Sequence, residues 1–223
     1  MNPLITVLDI FEGIACITGF VYWKRVRNSY WRWFPFYLAA IVINEVTGVY
    51  LLHVKRNLSL NTALYSYWGI PLQFFFFFWL FHRYFKEAGI KTKWPPLAAA
   101  IYGICWLSDI FSWPDLYYLS QVKLYFDSFS YTIGNIGLLV LLLIFFLRFS
   151  KSDEVLHYRS SRMFWVCLGL LIFYVGSMPF YGIRTTLYYQ YPDIFYPYWN
   201  IQFIMGCLMY LFFSISFIWG KAK

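Results

Sequence analysis

IGLLVLLLIFFL, residues 136–147, is an unbroken apolar segment in which no side chain is polar. Extended back to Phe126, the segment is long enough to cross a hydrocarbon core of about 30 Å as a helix. The whole chain shares this character: of its 223 residues, 61% are hydrophobic, 26% aromatic and only 13% charged. A water-soluble domain carries roughly 25% charged residues. The composition therefore excludes a water-soluble fold.

Seven apolar segments of this kind predict an all-α, polytopic membrane protein that forms a single transmembrane domain over residues 1–223. The first segment lacks the basic start and cleavage site of a signal peptide, so we expect it to be retained as a helix. The fourth is short and contains Asp109. We expect the run Phe74–Phe78 to face lipid. The segments are Leu4–Trp23, Phe34–Leu52, Ala63–Phe81, Pro95–Trp113, Phe126–Leu147, Met163–Tyr181 and Trp199–Trp219.

The positive charges predict the orientation of these segments. The net charge is +8, and 14 of the 18 Lys and Arg residues lie after the first, third and fifth segments and in the C-terminal tail. By the positive-inside rule, these regions face the cytoplasm and the N-terminus lies outside. The charge thus marks topology, and we expect no nucleic-acid partner. The predicted location is the bacterial inner membrane, with the lipid bilayer as the surrounding partner.

An internal repeat is predicted from two similar segments. Residues 65–70 read YSYWGI and residues 196–201 read YPYWNI, so four of six positions match at an offset of 131. A weaker similarity links the second and sixth segments. Two three-helix units in the same orientation, joined by the fourth helix, would account for this pattern. Parallel repeats of this kind occur in transporters such as the SWEET carriers.

Polar side chains inside the predicted helices indicate a ligand pocket. An ionisable group at bilayer depth costs about 2.5–3.5 kcal/mol or more, so each one calls for a partner or a function. Glu12 and Glu45 fall at similar depths, roughly 10–12 Å from the outer ends of their helices at a rise of about 1.5 Å per residue. Most polar positions lie in the outer half, so we expect a pocket that opens outward. The candidate ligand-binding residues are Asp9, Glu12, Asn44, Glu45, Gln73, Asp109, Asn135, Arg184 and Asn200.

Two interpretations of Glu12 and Glu45 stay open. They are either hydrogen-bonded contacts between helices, with at least one carboxyl protonated, or part of a ligand or proton site. Pro71 and Pro179 lie within the third and sixth segments, where each removes a backbone hydrogen bond and permits a kink.

No sequence motif indicates catalysis. The chain contains no His-Glu-x-x-His, no Gly-rich phosphate loop and no Gly-x-Ser-x-Gly, and its three histidines form no ligand pattern. We therefore expect no enzyme activity, catalytic residue, cofactor or metal. The four cysteines (Cys16, Cys105, Cys167 and Cys207) stand singly inside apolar runs, which is typical of packed small hydrophobic residues.

Four regions carry a resemblance to known proteins: residues 29–37 (SYWRWFPFY), 70–74 (IPLQF), 152–154 (SDE) followed by Phe164-Trp165, and 169–176 (GLLIFYVG). They resemble small seven-helix integral membrane proteins frequent in Bacteroidota. The chain is also broadly similar to the membrane-embedded sensory region of seven-helix histidine kinases, without the kinase. The resemblance implies the fold and carries no functional residue with it.

These observations predict a receptor-like or sensory helix bundle that signals through a cytoplasmic or membrane partner protein. A small-molecule transporter with proton-coupled carboxylates is one alternative, and a non-catalytic subunit of a membrane complex is another. A transporter must expose its site to both sides of the membrane. The predicted inner half contains few polar groups, and this favours the sensor.

Overall fold

The computed structural model describes residues 3–111 and 128–220. Every regular element in these two ranges is helical, which confirms the predicted all-α class. The predicted end of the fourth segment at Trp113 and the predicted start of the fifth at Phe126 lie outside them. The α-helices are α1 (Pro3–Val21), α2 (Trp23–Val26), α3 (Trp33–Val49), α4 (Leu58–Leu64), α5 (Ile70–Glu87), α6 (Trp94–Phe111), α7 (Ser128–Phe149), α8 (Arg162–Gly182), α9 (Arg184–Gln190) and α10 (Pro192–Trp219).

Shorter helical segments of other types connect several of these helices. Two are 3-10 helices, at Tyr30–Arg32 and Asp153–Ser160. Two are π-helical, at Tyr50–Val54 and Tyr65–Gly69, and both continue directly from an α-helix. The π segment at Tyr65–Gly69 joins α4 to α5, so the third predicted span is one uninterrupted helical stretch with a local change of register.

Six helical stretches in the described ranges are long and apolar enough to cross a membrane, and they match every predicted segment except the fourth. On length and composition, the chain is therefore a helical membrane protein. The fourth segment is the 18-residue helix α6. It contains two prolines, in its first turn, and Asp109 near its end. The six stretches are Leu4–Val21, Tyr30–Val54, Leu58–Glu87, Phe129–Phe149, Arg162–Gly182 and Pro192–Trp219.

The third and seventh spans are longer than predicted. The third begins at Leu58 instead of Ala63, because the side chain of Asn57 caps the helix by accepting a hydrogen bond from the Leu60 backbone N–H at 2.9 Å. It continues past Phe81 to Glu87, which lies 4.0 Å from Arg83 in an ion pair one turn apart. The last helix starts at Pro192, since proline is tolerated in a first helical turn.

The surface of α1 shows the inside-out polarity of a membrane helix. Ile10, Ile14, Ile17 and Val21 follow one another at helical spacing, and their exposed fractions are 54%, 47%, 64% and 70%. Glu12, on another face of the same helix, is only 4% exposed. Apolar side chains thus point outward while the carboxylate is buried, as expected of a helix that contacts lipid.

The chain divides into two compact units. The first comprises Met1–Val42, Leu139–Ser177 and Trp199–Lys223. Its core is aromatic: the ring of Phe34 lies 5.1 Å from that of Phe213 and 5.3 Å from that of Phe217.

The second unit comprises Ile43–Leu138 and Met178–Tyr198. Its core is built around Phe74, whose ring centroid lies 4.8 Å from Tyr102 and 5.5 Å from Tyr131. These contacts join α5 to α6 and α7.

The prediction that Phe74–Phe78 faces lipid is wrong. Phe74, Phe77 and Phe78 are at most 1% exposed, whereas Phe76 is half-buried and Phe75 is 36% exposed. Consecutive residues on an α-helix point in directions about 100° apart, so a run of five surrounds the helix and cannot share one face. In this protein most of that run forms the core of the second unit.

Candidate functional site

The second unit holds a polar contact between α3 and the π segment Tyr65–Gly69. The hydroxyl of Tyr65 donates a hydrogen bond of 2.5 Å to Oε2 of Glu45. Gly48, one turn further along α3, makes this contact possible, because a Cβ atom there would lie 2.7 Å from the Tyr65 hydroxyl. The predicted candidate Glu45 is thus held by a phenol from the neighbouring span.

A second close approach lies one turn along the same pair of segments. A Cβ atom at Gly69 would lie 2.9 Å from Nδ2 of Asn44, so the side chain of Asn44 packs directly on the glycine. Asn44 is buried, and its Oδ1 atom has no hydrogen-bond partner among the described residues. Each segment therefore supplies one glycine, and each glycine receives a polar side chain from the other segment.

The π segment has a local cause in the sequence. The N–H of Ile70 bonds the carbonyl of Tyr65 five residues earlier, and in this register the carbonyl of Ser66 would be paired with residue 71. Residue 71 is proline and has no N–H to donate. The indole Nε1 of Trp106 bonds the Ser66 carbonyl instead, at 3.2 Å. Trp106 on α6 thereby satisfies a backbone group that Pro71 cannot.

An open cleft lies beside this bond, within the second unit. It has about 310 Å³ of empty volume, including the space at its mouth. Oδ2 of Asp109 is shielded from solvent and has no hydrogen-bond partner among the described residues. The cleft is lined by Ser66, Tyr67, Ile70, Trp106, Asp109, Ile110 and Ser130.

Arg184 contributes a cation to the same unit. Its guanidinium carbon lies 5.5 Å from the ring centroid of Tyr181, and that ring lies 4.5 Å from Tyr131. Burial lowers the pKa of Arg184, while the two tyrosine hydroxyls act in the opposite direction. Glu45 also interacts electrostatically with Tyr181. Glu45, Tyr65, Tyr181 and Arg184 consequently form one connected polar group.

Three predicted candidates lie in the first unit. Glu12 is buried there and interacts electrostatically with Tyr37 and Cys207. Asp9 and Asn200 are both half-buried. Apart from these candidates, the polar contacts of this unit include the bond from Gln202 Nε2 to the carbonyl of Gly176, at 3.2 Å.

The other six predicted candidates belong to the second unit: Asn44, Glu45, Gln73, Asp109, Asn135 and Arg184. Asn44 and Glu45 contact the π segment, Asp109 lines the cleft, and Asn135 is fully buried. Sequence reasoning did not select the cleft residues Ser66, Tyr67, Trp106 and Ser130. The sequence contains one signal for the first two, since Pro71 predicts that a carbonyl one turn earlier needs another donor.

The cysteine and acidic side chains of the described residues form no metal site. All four cysteines are free, and Cys167 is buried. Within residues 3–111 and 128–220, no three His, Cys, Asp or Glu side chains are grouped closely enough to hold a metal ion.

Comparison with known proteins assigns no relative to the chain. No protein-family model matches it, and neither does any curated protein or any solved structure. Its function therefore has to be argued from the geometry of its own residues.

Proposed function

We propose that the chain is a receptor-like, non-catalytic membrane helix bundle, which binds a small molecule in the cleft of its second unit and signals through a partner protein. The observation that carries this proposal is the buried Oδ2 atom of Asp109, which faces a cleft and lacks a partner among the described residues. A carboxylate oxygen in this state is costly inside a membrane protein unless a ligand or a proton compensates it.

The π segment offers a route by which occupancy changes the structure. Ser66, Tyr67 and Ile70 line the cleft, while Tyr65 at the start of the segment bonds Glu45 on α3. π segments are often found at functional sites, where a helix changes register. A ligand that displaces Ser66 or Tyr67 would therefore also strain the bond between Tyr65 and Glu45.

The proposed topology is seven spans, with α6 as the fourth, the N-terminus outside and the C-terminus in the cytoplasm. At about 1.5 Å per residue, the 18 residues of α6 extend over about 27 Å. In this topology Asp109 and the π segment both lie near the outer surface, so the cleft would receive ligands from outside. The 14 cytoplasmic Lys and Arg residues would face the partner protein.

A proton-coupled carrier is the second candidate, favoured by the bond between Tyr65 and Glu45. A carboxyl group that is hydrogen-bonded within a membrane span is suited to taking up and releasing a proton. In a carrier, substrate movement would accompany that exchange, and the parallel repeat predicted from the sequence would provide the two moving halves.

The experiment that tests the sensor is a thermal-shift screen of the purified protein against a small-molecule library, with two tryptophan variants. Ile110→Trp fills the cleft, whereas Ile104→Trp on the same helix is the matched control, because Ile104 is 66% exposed. We expect ligands that stabilise the unmodified protein and Ile104→Trp, and have no effect on Ile110→Trp. Stabilisation of Ile110→Trp by the same ligands would contradict a site in this cleft.

A transport assay in vesicles distinguishes the carrier hypothesis from the sensor hypothesis. Proteoliposomes that contain only this chain should bind a ligand from the screen without accumulating it. Accumulation of the labelled ligand would contradict the sensor and support the carrier. Cross-linking in native membranes, with and without the ligand, should identify a partner protein. The amount of cross-linked product that contains this partner should change when the ligand is added.

A further inference from the structure

We propose that the cleft of the second unit recognises the ammonium group of a small aromatic or aliphatic amine, with Asp109 as the counter-ion. This inference rests on the proposed function, because it names the ligand class of the same cleft. Three properties of the cleft carry it: a carboxylate oxygen that has no partner among the described residues, two aromatic side chains and two isoleucines.

The carboxylate gives the charge of the ligand. Oδ2 of Asp109 is buried, and Asp109 forms neither a hydrogen bond nor an ion pair through this atom within the described residues. An ammonium group supplies both the opposite charge and the donors that this oxygen needs, through a charge-assisted hydrogen bond. A neutral ligand would leave the charge uncompensated, and an anionic ligand would be repelled by it.

The aromatic side chains give the second contact with a cation. Trp106 and Asp109 are three residues apart on α6, so they project from the same face of the helix. The bond from Trp106 Nε1 to the Ser66 carbonyl fixes the indole, which also packs edge to face against Phe75 at 6.0 Å. A cation held by Asp109 can therefore lie against an immobilised ring, and cation–π attraction increases when the site is shielded from water.

The rest of the described lining offers an apolar surface beside a few hydroxyl groups. Two serines and one tyrosine supply the hydroxyls, whereas Ile70 and Ile110 present no polar atom. Trp106 has already used its only donor on Ser66. An amine with an apolar body can therefore place its charge on Asp109 and its body against Ile70, Ile110 and the Trp106 ring.

The test compares two probes that differ in one group: 2-phenylethylammonium and 2-phenylethanol, measured by titration calorimetry with the purified full chain at neutral pH. We expect the ammonium probe to bind about tenfold or more tightly than the alcohol, a factor that corresponds to about 1.4 kcal/mol. Asp109→Asn should remove this preference, while Asp153→Asn, which alters an exposed acid outside the cleft, should keep it.

Equal affinity of the two probes for the unmodified protein would overturn the amine assignment, even if Asp109→Asn failed to fold. So would a preference for the ammonium probe that survives in a folded Asp109→Asn variant, or the absence of any binding. Failure of the ligand class can be distinguished from failure of the proposed function. If 2-phenylethanol bound as tightly as the amine and Ile110→Trp abolished both, the cleft would stand as a ligand site and only the ligand class would fall.

Discussion

At the scale of single residues, the polar site depends on two glycines, which have no side chain, as much as on its polar side chains. Gly48 and Gly69 are needed because helices can approach closely only where no Cβ atom intervenes. At both positions the space that a methyl group would fill is taken by a polar side chain, from Tyr65 and Asn44 respectively. The two glycines therefore position the candidate site.

We predict that Gly48→Ala and Gly69→Ala each lower the free energy of unfolding by about 1–3 kcal/mol, because the added methyl group overpacks the contact. The free energy of unfolding of each variant can be measured by titration with a denaturing detergent in mixed micelles. Gly13→Ala is the matched control, since a Cβ atom at Gly13 meets no described atom within 4 Å. Helix propensity favours alanine over glycine at all three positions, so an equal change in all three variants would show that close packing at Gly48 and Gly69 does not account for the effect.

Much of the residue chemistry was predictable from the sequence, whereas its pairing was not. A carboxylate within an apolar segment predicts a partner, and Glu45 has one in Tyr65. Which side chain from another span would provide it depends on how the spans are rotated against each other. Nothing in the residues around Glu45 encodes that rotation.

At the scale of elements, the distortion of the third span precedes the proline that causes it. The sequence predicts a kink at Pro71, and the structure has a π segment over the preceding five residues, Tyr65–Gly69. The Ser66 carbonyl, which Pro71 leaves unpaired, is bonded by Trp106. Helix α6 is thereby attached to α5 through a backbone group of the neighbouring π segment.

We predict that the contribution of Trp106 depends on Pro71. Trp106→Phe removes the indole N–H and should cost about 0.5–1.5 kcal/mol of unfolding free energy in the unmodified chain. In a Pro71→Ala background the new backbone N–H can pair with the Ser66 carbonyl, so the same substitution should cost less. A double-mutant cycle of unfolding free energies measures the difference. Additive costs would contradict this account of the π segment.

The C-terminal end of α10 shows a second contact between elements, in the first unit. The last carbonyls of a helix have no partner within it and carry the negative end of the helix dipole. Arg25 donates to the carbonyl of Ile218 at 2.7 Å, and Arg162 to that of Gly220 at 2.8 Å. Arg162 also lies over the ring of Trp31, 5.6 Å from its centroid.

We expect Arg162→Ala to lower the free energy of unfolding by about 1.5–3 kcal/mol, the usual range for a hydrogen bond to a charged group. Arg162→Lys should recover only part of this loss, because an ammonium group lacks the planar fork that reaches a carbonyl while covering a ring. Arg27→Ala, at an exposed position, is the control and should change stability by less than about 0.5 kcal/mol. Full recovery by lysine would reduce the role of Arg162 to its charge.

At the scale of the whole molecule, the number of spans is decided by α6. If α6 crosses the membrane as proposed, residues 55 and 151 lie on opposite sides. If α6 does not cross, the spans after it are inverted, and the two residues lie on the same side. The positive-inside count favours the first arrangement, because it collects 14 of the 18 Lys and Arg residues on one side.

We therefore predict that a membrane-impermeant maleimide labels Lys55→Cys in intact cells and labels Lys151→Cys only after the cells are opened. Both variants are made in a chain whose four native cysteines are replaced by alanine, so that each presents one thiol. Labelling of both positions in intact cells would contradict seven spans. Labelling of Lys151→Cys alone would contradict the predicted orientation.

From the sequence alone, the chain is predicted to be helical with the composition of a membrane protein, and six of its candidate spans are located. These properties follow from the length and composition of continuous segments, which are local. Only the tertiary structure decided which faces point inward, and the buried Phe74 shows why. Lipid and the interior of a helix bundle are equally apolar, so hydrophobicity cannot distinguish them. For the same reason, only packing could bring Trp106 to Ser66, 40 residues away, and so create the cleft that holds Asp109.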